Sequence, residues 1–126
     1  PRVRAAAGQF LARYVRMMFH DGDVGRPNCF EHYNPFTGAA SVYRGIDDYQ
    51  HSWVADLIIQ YACGVRVGRD AVVIDPLPMA LDFFELRGVR VGDLDIGVRL
   101  DGGYLTVTVN DALHQVPFGE RLVIPR

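Results

Sequence analysis

The chain has 126 residues, 49% of them hydrophobic and 22% charged, with a formal net charge of −2. That balance describes a domain-sized folded chain and excludes a disordered tract. Its slight acidity excludes a general binder of nucleic acid or anionic membrane, and its apolar runs fall far short of the ~18 residues of a membrane span.

All thirteen basic residues are arginine, which reads as compositional bias. The start carries no charged and apolar leader of the signal-peptide kind. It lacks a methionine and opens almost at once into a helical pattern, so the expectation is a processed or cut piece of a longer chain. Cys29 and Cys63 lack a short metal or redox spacing and read as thiols, with Cys63 packed in a helix. A cytoplasmic setting is compatible with this.

The first element is an amphipathic helix. In "RVRAAAGQFLARYVRMMF", Val3, Ala7, Phe10, Tyr14 and Met18 recur at helical spacing, while Arg2, Gln9, Arg13 and Arg16 fall largely on the other side. "HDGDVGRPN" breaks it with two glycines and a proline. A second helix is expected from about Asp48 to Ala62, stopped by Gly64. Its core "WVADLIIQYA" is apolar almost all round, so it needs neighbours on several sides.

From Ala71 the period changes to that of strands. "AVVIDP", "ALDFFELR", "VRVGDLDIGVRL", "YLTVTVND" and "LHQVPFGERLVIP" alternate or run in β-branched residues, with "DGG" at 101–103 and "ND" at 110–111 as hairpin turns. The expected organisation is α+β: a helical part over residues 1–67 and an antiparallel β module over residues 68–126, dividing near Val67–Asp70.

Two metal readings fail on spacing. "DGDVGRPNCFEH" has Arg26 and His32 where a calcium loop needs Gly and Glu at its sixth and twelfth positions. His20, His32 and His51 have no short ligand spacing to one another, and His114 lies far along the chain. No metal or cofactor is expected.

Glu31 stands apart. It is one of only three glutamates, the others being Glu85 and Glu120, and it precedes His32, Tyr33 and the turn "NPFTG". Pro35 and Gly38 fit a turn that holds the preceding segment in one shape and so aims the carboxylate. From the residues alone, a capping or surface acid and a catalytic acid both remain open.

"FEHYNPFTGAAS" followed by "DDYQHSWVADLII" resembles the end of the catalytic barrel in inverting glycoside hydrolases of family 63 and the related trehalases. Glu31, Tyr33, Asn34, Pro35, Thr37 and Gly38 match the first stretch of that pattern, and Ser52 and Trp53 match the second. The resemblance covers about the first half of the chain. "YQHSW" departs from it at His51, which bears on the substrate more than on the reaction.

The resemblance implies that residues 1–67 are the last helical hairpin of an (α/α)6 barrel, with a C-terminal sheet module behind. It implies that Glu31 is the general base that deprotonates water. It also implies a carbohydrate substrate lined by Tyr33 and Trp53, although both aromatics fit a barrel core equally well. The partner acid would lie upstream, so the rest of the barrel is an expected partner, in the same polypeptide or a complementary chain. Two rival readings stay open: a non-catalytic β-sandwich-like binding or interaction module, and a stand-alone structural α+β domain.

Overall fold

A computed structural model describes residues 2–30, 32–40 and 53–126. In chain order the elements are helix α1 (Arg2–Met17), a 3-10 turn (His20–Gly22), helix α2 (Trp53–Leu57) and a π-helical turn (Ile58–Ala62). Strands β1 (Val65–Val67), β2 (Ala71–Ile74), β3 (Phe83–Val91), β4 (Leu94–Asp101), β5 (Tyr104–Val109), β6 (Ala112–Pro117) and β7 (Leu122–Pro125) follow. The fold is α+β with two antiparallel sheets, one ordered β1-β2-β7 and the other β3-β4-β5-β6. None of the described helices is long and apolar enough to cross a membrane.

The larger sheet is a meander written by turn chemistry. Asp101 pairs with Tyr104 across Gly102-Gly103, and both glycines have positive φ, +56° and +81°. Val109 pairs with Ala112 across Asn110-Asp111, where Asn110 has φ +51°. Such backbones match the right-handed twist of paired strands. The expected strand "VRVGDLDIGVRL" divides at Gly92-Asp93, where Val91 pairs with Leu94. Its first part joins "FFELR" in one long β3, and the register shifts between Leu86 and Val89. Gly88 sits in that irregularity at φ +70°.

Strict alternation then builds the core. Ile96, Val98 and Leu100 of β4 and Leu105, Val107 and Val109 of β5 point inward. Val65, Val72, Ile74 and Ile124 of the smaller sheet meet them, so the two sheets share one apolar core. Each fully buried side chain of this size contributes about 1.5–3 kcal/mol. Val65–Val67, on the helical side of the expected boundary, is the first strand of this sandwich and pairs with β2.

The helical part differs from expectation in the face it buries. In α1 the buried residues are Gly8 and Leu11, continued by Met18, whereas Val3 and Phe10 are 83% and 73% exposed. The reason is the chain that packs on the helix. A β-carbon on Gly8 would stand 2.2 Å from the Pro78 carbonyl oxygen, so only a glycine face admits this approach. Periodicity ranks Val3, Ala7 and Phe10 above Gly8, but close backbone packing selects the smallest residue. The second helix is described from Trp53 onward, and residues 48–52 of the expected helix lie outside the described residues. It stops where expected, at Gly64 with φ +80°.

The two parts are joined by the segment 75–78. The Asp75 carboxylate accepts from Arg4 Nη1 at 2.9 Å, Arg4 Nη2 at 2.6 Å and Arg66 Nη2 at 2.6 Å, while Arg4 Nη2 also donates to the Pro76 carbonyl. The Asp75 amide donates to the Gly64 carbonyl and the Leu77 amide to that of Tyr61. Burial pushes the Asp75 carboxyl up, but the hydrogen bonds and charges of Arg4 and Arg66 outweigh it and hold the group below its ordinary value.

Because that value is lowered on folding, the stabilisation is present above the unfolded-chain pKa near ~4 and is lost as pH falls through the lower folded value. Replacing Asp75 with Asn is expected to cost about 1–2 kcal/mol at neutral pH, a figure discounted for the solvent reaching both guanidiniums. The variant should also lose part of the acid dependence, and urea unfolding at pH 7 and pH 3 reads both effects. Gly64→Ala is expected to cost more than ~2 kcal/mol, because its φ is left-handed and the new β-carbon would meet Pro76 N at 2.2 Å. A thermal melt of that variant checks the close approach.

Candidate functional site

The stretch that follows Glu31 is a tightly closed loop. Asn34 organises it: its Oδ1 accepts from the amides of Phe36 (2.9 Å) and Thr37 (3.0 Å), and its own carbonyl accepts from Gly38. This is the local behaviour that favours asparagine in turns. The Asn34 amide donates to Ala39, the Ala39 amide to Thr37 Oγ1, and Gly38 takes φ +71°. A bridge between Tyr33 and Ala40 closes the base of the loop. The turn expected around Pro35 and Gly38 is therefore present, with Asn34 as its organiser.

Glu31 itself lies outside the described residues, as do His51 and Ser52. Its flanks are described. On one side Phe30 is buried and its amide donates to the Tyr33 hydroxyl at 2.8 Å. The hydroxyl in turn donates toward Asn28 Oδ1 (3.3 Å) and Met18 Sδ (3.6 Å). Burial pushes the Tyr33 phenol up, with the Phe30 amide pulling the other way. Tyr33, expected to line a sugar pocket, here spans the loop as a strut with its hydroxyl committed inside the chain.

Trp53 is 69% exposed at the start of α2, outside the core that the described residues form. Cys63 is buried and its thiol is pushed up to about 11 by burial, which leaves it inert near neutral pH.

Sequence reading missed a cleft of about 380 Å³ between the C-terminal turns of α1, the His20–Gly22 turn and the Thr37–Ala40 strip. Neither Tyr33 nor Trp53 lines it, but Arg13, Arg16, His20, Asn28 and Thr37 do. The missed signal was the "HDGDVGRPN" break. His20 N donates to Arg26 O, Asn28 N donates to Met18 O, and Phe19 pairs with Pro27, which folds that break back beside α1. A second groove, of about 420 Å³, lies on the outer face of the larger sheet among Glu85, Arg87, Arg99, Thr106, Thr108 and Asn110.

Comparison with protein-family models, with curated proteins and with solved structures finds no match to this chain. What defines it is its own geometry: an α+β chain whose helical part presents a tightly closed loop and whose β part closes its own core.

Exposure of Trp53 leads to a measurable expectation. Trp53→Phe should leave the melting of the chain within the ~0.5 kcal/mol of ordinary surface changes. A loss above ~1 kcal/mol would mean that the indole is packed as core.

Proposed function

We propose that this chain supplies the general base of an inverting glycoside hydrolase, with Glu31 as the carboxylate that activates water. The observation that carries the reading is the bracing on both sides of Glu31. Phe30 is tied to the Tyr33 hydroxyl, and Tyr33 is locked to Ala40 over a turn organised by Asn34. A general base must be held in a fixed relation to the water it deprotonates, because misplacement costs rate steeply.

Apolar surface left open on the helical part supports reading it as one hairpin of a larger barrel. Val3, Phe10 and Phe36 are exposed at 83%, 73% and 94%, a load of apolar surface that further helices would cover. An (α/α)6 barrel needs such neighbours, from the same polypeptide or a complementary chain. Those neighbours would bring the acid that protonates the leaving oxygen from the opposite face of the sugar, ~6.5–9.5 Å from Glu31. Trp53 would then face the sugar, its ring against C–H surfaces.

A second reading, a non-catalytic binding module, is favoured by the outer groove of the larger sheet and by the self-contained core beneath it. In the assembled enzyme, Glu31→Gln keeps the shape but removes the proton acceptor. It is expected to lower kcat by about 10²–10⁴ while substrate binding is largely retained. Inversion at the anomeric carbon, followed by NMR of the first-formed product, is the companion measurement. Near-normal kcat in Glu31→Gln would refute the assignment and favour the module.

A further inference from the structure

The cleft beside α1 is furnished with donors that have little to donate to. Arg13 and Arg16 stand at i and i+3, hence on one face of the helix, and among the described residues neither pairs with an acid. The Arg16 guanidinium lies against the bare α-carbon of Gly22. A β-carbon there would meet Nε at 2.7 Å and Nη2 at 3.2 Å, so the glycine makes room for the cation.

Asn28 is only 4% exposed and also lines the cleft. Its Oδ1 takes the Tyr33 hydroxyl. Thr37 Oγ1 accepts from Ala39, which leaves its O–H to donate. Asp21 is the acid among the described lining residues, against two permanent cations, Arg13 and Arg16. Donors in excess, two of them charged, call for a ligand rich in acceptors and negatively charged. Guanidinium forks match carboxylate and phosphate oxygens in pairs. The volume falls within the range of small-molecule sites.

We infer that this cleft binds an acidic sugar, its carboxylate or phosphate held by Arg13 and Arg16 and its hydroxyls by Asn28 and Thr37. The site stands on residues other than Glu31, so it does not require Glu31 to be a base. Loss of one property therefore leaves the other measurable.

The test is calorimetric titration of the 126-residue chain with glucuronate, glucose 6-phosphate and glucose. The acidic sugars are expected to bind saturably, about tenfold or more tighter than glucose, and the tighter of the two identifies the oxyanion. Arg16→Gln and Arg13→Gln, both at exposed side chains, should each weaken that binding by about tenfold. Arg121→Gln, outside the cleft, should leave it unchanged. Equal binding of all three sugars, or undiminished binding in both cleft variants, would overturn the inference.

Discussion

Everything in this molecule hangs on how closely the segment 75–78 is drawn against two glycines. Gly8 receives the Pro78 carbonyl and Gly64 receives the Asp75–Pro76 peptide, each at a distance that leaves no room for a β-carbon. The contact is fixed electrostatically by one carboxylate shared between Arg4 of α1 and Arg66 of β1. Asp75 thus belongs to both parts: it follows β2 directly and holds the N-terminal helix. An ion pair in the open surface contributes little. This one is half-sheltered, bidentate on one side, and backed by main-chain hydrogen bonds at Gly64 and Tyr61. It sets the position of α1, and α1 in turn carries Arg13 and Arg16 to the cleft and Met18 to the Tyr33 strut.

The two parts satisfy their apolar surface in different ways. The sheets close on themselves, with Ile74, Ile96, Leu105 and Val107 removed from solvent altogether. The helical part keeps Leu11, Met18 and Phe30 inside but leaves large side chains out on α1, on the loop and at the head of α2. That asymmetry leaves the β part closed around its own core and the helical part with large apolar side chains in solvent.

What could be read in the sequence was what short-range chemistry decides. Gly102-Gly103 and Asn110 announce their hairpins because few other residues accept a positive φ. The Asn34–Gly38 turn is equally local, since one side chain bonds amides two and three residues on. The alternation in "YLTVTV" fixes which residues of β5 enter the core. What could not be read was decided at long range. Arg4 and Asp75 are 71 positions apart, and nothing in either neighbourhood marks them as a pair. The burial of Gly8 in place of Phe10 follows from a backbone that arrives from Pro78. The segment "LHQVPFGERLVIP" shows one period, yet its two ends belong to different sheets, because β7 leaves the meander after Phe118 to pair with β2. Of the site, the loop was legible in detail, while the cleft depends on how the break after α1 folds back.

That crossing of β7 has a consequence for synthesis. The meander β3–β6 is made of neighbours in sequence and is able to form as soon as it leaves the ribosome. The smaller sheet is different. β2 lies between β1 and β7, so during translation it holds an open edge until Leu122–Pro125 has emerged, and Val72 and Ile74 lack the Ile124 side of their core until then. Arg126 then fastens the closing strand, its amide on the Asp70 carbonyl and its guanidinium on that of Gly68. A nascent chain stalled just short of this strand would present a sticky β edge, and would be the species most in need of a chaperone.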